Sequence, residues 1–257
     1  MRTHSASISI LGIVFVFVAS LTGCSKDDLA GSSPLAPLGA AMVPESDLAA
    51  HVSVPFDPNN FVEGVDNPYL PLTPGAVSTF VGETTEGTET IVVEVLHQTK
   101  TILGVKATVV RDRVTLEGEL IEDTFDWYAQ DASGNVWYLG EDSKEYEDGV
   151  VVSTEGSWEA CVDGAEAGII MLANPKKGDS YAQEDAPGVA EDMARVKGLT
   201  GPVTVPYATY DQVLAILEWT PLEPGARGTK YYASGVGVVL ETSKKGERVE
   251  LVSVTGL

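Results

Sequence analysis

From residue 88 onward the sequence is cut into short β-branched runs by glycine-bearing turns, and that punctuation restricts the body to an antiparallel all-β fold. Residues 88–96 alternate, with Ile91, Val93 and Val95 on one face. Residues 105–116 are rich in Val and Thr, and Glu117-Gly118 reads as a tight turn into a run over 119–130. Asp131-Ala132-Ser133-Gly134-Asn135 is a hairpin loop before Val136-Trp137-Tyr138-Leu139-Gly140, and Glu147-Asp148-Gly149 separates Lys144-Glu145-Tyr146 from Val150-Val151-Val152. Residues 105–153 therefore read as one antiparallel meander. A second has strands over 212–219, 229–233, 236–242 and 248–254, with turns at 225–228 and 244–246.

Two stretches are ambiguous by period. Residues 188–199 have helical propensity but alternate loosely between Gly188 and Gly198, and a strand is the preferred reading. Leu214-Ala215-Ile216-Leu217 is apolar throughout, which does not separate strand from helix. About a dozen strands with minor helix must manage their edges by curling. The expected fold is all-β: a curved antiparallel sheet forming a half-open barrel. An immunoglobulin-type sandwich fits less well, since its paired cysteines are missing.

The start of the chain is organised differently. Arg2 and His4 precede an apolar run from Ile8 to Leu21, which is too short to span a bilayer of roughly 30 Å and has the plan of a secretory signal. It ends in Leu21-Thr22-Gly23-Cys24, which resembles the lipobox of bacterial lipoproteins. The resemblance implies cleavage before Cys24, a diacylglyceryl thioether on that residue and acylation of its amino group, with palmitate-type chains anchoring it to a membrane. An ordinary secretory signal with a chance cysteine is the bland alternative. Ser25 in place of Asp resembles the signal for outer-membrane sorting in diderm bacteria. Residues 25–58 are small, polar and proline-bearing, and read as a flexible tether. The expected organisation is signal 1–23, tether 24–58 and one β-rich domain 59–257.

Charge and cysteine content narrow the function. The chain has 257 residues, 38 Asp+Glu against 16 Lys+Arg, and a formal charge of −22. A phosphate polyanion is repelled by such a protein, so nucleic acid is excluded as a partner. Cleavage of the signal removes Arg2 and no acid, so the exported part is more negative still, which keeps the body soluble beside anionic headgroups. With Cys24 lipidated, Cys161 has no disulfide partner. The mature chain offers only His51 and His97 as imidazole bases, so Cys161 reads as a small buried apolar residue rather than a nucleophile.

Asp66-Asn67-Pro68-Tyr69-Leu70-Pro71-Leu72-Thr73-Pro74-Gly75 resembles the opening of a family of bacterial secreted proteins and lipoproteins of unknown function. Further resembling segments lie at 126–131, 134–142, 153–160, 218–225 and 230–237, so the likeness covers nearly the whole body. Val203-Thr204-Val205-Pro206-Tyr207 with 230–237 is also similar to a broader group of envelope proteins, akin to lipoprotein-carrier half-barrels. What this implies is a curved β sheet and an envelope location. No activity is assigned in the close family, so no catalytic residue carries over. Cys161 stands where a small residue such as glycine is expected.

The densest candidate site is acidic and aromatic. Asp123, Asp126, Trp127 and Tyr128 lie on one predicted strand, and Trp137, Tyr138, Glu141 and Asp142 on or after the next. Trp158 and Glu159 join from a nearby segment. Period two puts Asp126 and Tyr128 on one face, with Phe125 and Trp127 on the other. Three readings are open: cross-strand packing under a solvated acidic face, a surface binding a glycan or apolar ligand, and a carboxylate pair for glycoside hydrolysis. The ligand-binding candidates are Asp126, Trp127, Tyr128, Trp137, Tyr138, Glu141, Trp158 and Glu159. Zinc or copper ligands are too few. Acidic loops could hold calcium, but none has EF-hand spacing. No nucleophile elbow, phosphate-binding loop or His-Glu-x-x-His is present, and Gly235-Val236-Gly237 reads as a turn. The expectation is a non-enzymatic, membrane-anchored envelope protein without cofactor or metal, holding a lipid, glycan or protein partner in a β concavity. A carboxylate-dependent extracytoplasmic hydrolase and a calcium-stabilised surface module are the alternatives.

Overall fold

The structure is a computed structural model and describes residues 51–257; Cys24, the signal and most of the tether lie outside the described residues. A hairpin of β1 (Val65–Asn67) and β2 (Leu70–Leu72) opens the body. A first meander follows: β3 (Val77–Glu83), β4 (Thr88–Ile102), β5 (Val105–Leu116), β6 (Glu119–Gln130) and β7 (Val136–Glu147). Short strands β8 (Val150–Ser153), β9 (Trp158–Glu159) and β10 (Gly168–Met171) all pair back onto β7. After β11 (Ser180–Ala182) and β12 (Met193–Thr200), a small hairpin of β13 (Val203–Thr204) and β14 (Thr209–Tyr210) leads to the second meander. Its strands are β15 (Val213–Trp219), β16 (Arg227–Ala233), β17 (Gly237–Ser243) and β18 (Arg248–Thr255).

Both meanders have the turns and partners the sequence predicts, and both ambiguous stretches are strands. Residue 188 is not part of β12, because Ala186–Ala190 close a turn of their own (Ala190 N to Ala186 O, 2.9 Å). The two meanders are one sheet. β18 pairs with β3, so the spatial order runs β10-β7-β6-β5-β4-β3-β18-β17-β16-β15-β12-β11, every neighbour antiparallel. Its ends curl toward each other and, among the described residues, their backbones bridge where Glu166 N donates to Asp185 O (2.8 Å). Gly168 permits the approach: a Cβ there would lie 2.0 Å from Gln183 O. The ladder does not continue across this seam, so the sheet is curved and half-open.

The inner face changes character along the strands. Ile91, Val93 and Val95 of β4, Leu214 and Ile216 of β15 and Val239 of β17 form apolar core. On the same face toward one end come Glu89, Glu122, Glu218, Lys230 and Glu241, all buried. The entry loop is locked by side-chain amides: Gln130 Oε1 accepts from Asp66 N and Asn67 N (2.9 Å each), and Asn67 Nδ2 donates to Gly134 O (2.8 Å). Ordered contact begins before residue 59. Val52 N donates to Ser180 O (2.8 Å), and Phe56 meets Trp137 edge-on at 5.3 Å, so residues 51–58 lie against the body.

Cys161 is a correction. It is exposed, at φ +73° in the turn after β9, where Cys161 N donates to Ala165 O (2.8 Å). A glycine-like residue is expected there because the backbone is left-handed, not because the side chain is packed.

Candidate functional site

Strands β6 and β7 build the centre of the site. Regular pairing would put Tyr138 and Glu141, three residues apart, on opposite faces. A bulge prevents this: Asp126 faces Glu141 and Tyr128 faces Tyr138, so Leu139 and Gly140 together oppose Trp127. Gly140 carries it at φ +129°, and a Cβ there would lie 2.3 Å from Trp158 O of the adjoining β9. Asp126, Tyr128, Tyr138 and Glu141 consequently share the inner face.

Tyr128 and Tyr138 stack with centroids 4.6 Å apart, and Trp158 meets Tyr138 edge-on at 5.4 Å. The Tyr138 hydroxyl lies 2.5 Å from Asp126 Oδ1 and 2.7 Å from Glu141 Oε2. One hydroxyl has one proton to give, so two fully ionised carboxylates cannot both be satisfied there; a carboxyl proton must complete the triad. Burial pushes Asp126 up to about 6, against the hydrogen bond from Tyr138. Glu141 is raised well above the usual range by burial, then by the charges of Glu184 and Asp126. Glu184, which accepts from Trp158 Nε1 (3.1 Å), is raised likewise by burial and by Asp192. Burial and like charge therefore both drive the Glu141 and Glu184 carboxyls toward the protonated form.

These two acids open onto a cleft of about 550 Å³ beside the seam. Its walls come from β7, from the 154–157 loop, from the 184–192 segment and from the β15–β16 loop. Glu145, Glu155 and Glu223 add carboxylates, while Val189, Ala190 and Leu222 give it an apolar side.

Of the eight candidate residues, Asp126, Tyr128, Tyr138, Glu141 and Trp158 come together here. Trp127 points to the opposite face, with Lys100 Nζ 3.1 Å above its ring, and Glu159 joins it only through that lysine (2.7 Å). Trp137 packs under Phe56 and Phe61 and donates to Asp131 Oδ2 (3.0 Å). Asp123 is clamped by Arg111 (2.7 Å) and Asp142 pairs with Lys144 (2.7 Å). Glu184 and Asp192 are not among the candidates read from the sequence; Glu184 lies in the loop after β11 and Asp192 in the ambiguous 188–199 stretch, and no clear period marks either side chain as inward. Behind the cleft, Lys230 and Glu218 form a buried ion pair of 2.8 Å, with Gln183 Nε2 also donating to Glu218 (3.0 Å). Among the described residues, no group of three or more His, Cys, Asp or Glu is arranged to hold a metal ion, and no helix is long and apolar enough to cross a membrane.

No family model matches the sequence, and no curated protein is significantly similar to it. Among solved structures, a candidate lipoprotein of Parabacteroides distasonis ATCC 8503 is similar at 14% identity and a TM-score of 0.38, over 73% of this chain and 98% of that one. A likeness at this level carries no inference about role, and the segment resemblances stand without a family assignment.

Proposed function

We propose that the chain is an exported lipoprotein, anchored through acyl chains on Cys24, whose body binds rather than transforms its ligand. The ligand class is a glycan or similar hydroxyl-rich molecule, held in the seam cleft. The location is the bacterial envelope, at the outer membrane where the host has one. The anchor and address rest on the lipobox resemblance and Ser25.

One observation carries the ligand class: two buried carboxyls, Glu141 and Glu184, open onto the cleft, where burial and like charge favour their protonated form. A neutral carboxyl both donates and accepts, which is what a sugar hydroxyl requires. The apolar side formed by Val189, Ala190 and Leu222 suits the C–H face of a sugar ring. A lipid chain would offer no hydrogen-bonding atom to the carboxyl oxygens that face the cleft, and a polar group covered without a partner costs about 1–3 kcal/mol. Calorimetric titration of the full chain with chito-, malto- and cello-oligosaccharides tests this. At least one series should bind, and Gly156→Trp, which fills the cleft, should weaken it tenfold or more. Failure of every sugar, with uptake of fatty acid in their place, would overturn it.

Hydrolysis is the second reading, favoured by two inner carboxyls sharing the Tyr138 hydroxyl, a closeness that retaining glycosidases use. Asp126 does not line the cleft, so of that pair a ligand there meets only Glu141. Release of reducing ends that disappears in Glu141→Gln would replace binding by catalysis.

A further inference from the structure

We infer that the outer face of β12, β15 and β16 is the surface the body turns toward an anionic phospholipid membrane. The inference rests on the anchoring of Cys24 proposed above. In the sheet register Arg195 lies opposite Leu217, and Trp219 opposite Arg227. Their neighbours Ala194, Val196, Ile216 and Glu218 are buried in the barrel, so Arg195, Leu217, Trp219 and Arg227 form one outward stripe. The β15–β16 loop overhangs it and makes a groove of about 460 Å³, with Pro221 and Pro224 on its wall.

The charges of this stripe are unspent. Arg195 lies over the Trp219 ring at 5.8 Å, its Nε is buried without an acceptor, and neither arginine has an acidic partner among the described residues. Elsewhere Lys100, Lys106, Arg111 and Lys144 are each tied to a carboxylate. Lys197 continues along β12, and Lys177 packs where a side chain on Gly198 would sit (3.3 Å). An otherwise strongly acidic body thus carries a cationic stripe around a half-buried tryptophan. Guanidinium forks match phosphate oxygens, and Trp favours the headgroup level of a bilayer.

The chain itself supplies the orientation. His51 bridges to Ser180, and Ser180 pairs with Arg195, so the tether enters the body beside this stripe. Acyl chains on Cys24 would keep the stripe near the bilayer surface, where basic residues are drawn to anionic headgroups. The contact is weak alone and effective because the tether raises its local concentration.

The full chain, reconstituted into vesicles of phosphatidylcholine with and without one-third phosphatidylglycerol, tests this through quenching of Trp219 by brominated lipid. The other three tryptophans are buried. Quenching should be at least twofold stronger with the anionic lipid and should fall at high salt. Trp219→Phe should abolish it, and Arg195→Gln with Arg227→Gln should remove the lipid preference. Arg227→Glu, at an exposed position, gives the same direction should the double variant not fold. Equal quenching by both lipids, or quenching that survives Trp219→Phe, would overturn the inference. A Cys24→Ser chain separates the two proposals. Loss of vesicle retention that depends on Cys24 supports the anchor. Weak sedimentation of the Cys24→Ser chain with anionic vesicles, lost on removal of the two arginines, supports the face; its absence at low salt counts against the face whatever the state of Cys24.

Discussion

Lys230 is almost fully buried (1% exposed), and its 2.8 Å contact with Glu218 is what makes that tolerable. Burial works against the lysine's charge, but Glu218 and then Glu241 overcome it and raise its pKa. Glu218 in turn accepts from Gln183 (3.0 Å) and Tyr232 (3.3 Å). Removing one member of such a pair strands the other, so Lys230→Met should cost about 3–5 kcal/mol in a denaturant melt. Adding Glu218→Gln should recover a large part of that loss, and no recovery would mean the pair is not the source. Once 213–219 and 227–233 are strands, period two puts Glu218 on the face of Leu214 and Ile216, and Lys230 on that of Tyr232; the unbroken apolar run 214–217 hides that period in the sequence. The rule that finds Asp126 and Tyr128 finds these too when charged residues on an apolar face are sought. Cys161 shows where the rule stops: backbone handedness, not packing, decides its position.

At the scale of elements, hairpins are legible because their turns carry Gly, Asn or Asp, and β5 to β8 and β15 to β18 follow from them, whereas β3 has no reading in the sequence. The β3–β18 pairing and the seam are not legible, because strands from opposite ends of the chain leave no local sign of meeting. The bulge of β7 is the instructive case. A strictly alternating strand separates Tyr138 from Glu141, and only the irregularity at Gly140 brings them to one hydroxyl network. Gly140→Ala should therefore do more than strain φ: its methyl would meet the Trp158 carbonyl and push β9 off β7. We expect a loss of about 3 kcal/mol or more, with Trp158 fluorescence shifted to the red as its contact with Glu184 opens. Gly149→Ala is the control, with a positive φ at the β7–β8 turn but open space around it, and should cost about 1 kcal/mol. Equal losses at both sites would mean the bulge is unimportant.

The whole molecule is acidic inside as well as outside, and this sets its response to pH. Burial raises Glu89 to about 7 and Glu122 and Glu241 to about 8, with Glu141 and Glu184 well above the usual range. Unfolded, each would titrate near 4.5. Between that value and the folded one, the native state binds more protons than the unfolded state. Stability is therefore full below about pH 4.5 for these groups and falls as pH rises toward 8, by about 1.4 kcal/mol per unit for each fully coupled group. Asp131 acts in the opposite sense. Burial raises it, but hydrogen bonds from Asn135, Trp137 and Ser133 outweigh that and lower its pKa, so its contribution is lost only in stronger acid. The midpoint of thermal unfolding should thus be higher at pH 5 than at pH 8, by on the order of 10 °C for a body this size. Glu122→Gln and Glu241→Gln should each flatten that slope, because an amide cannot ionise, while Glu63→Gln, on the exposed surface, should leave it unchanged. A midpoint that rises from pH 5 to 8 would mean the inner acids are ionised and paired, and it would count against protonated carboxyls in the binding cleft.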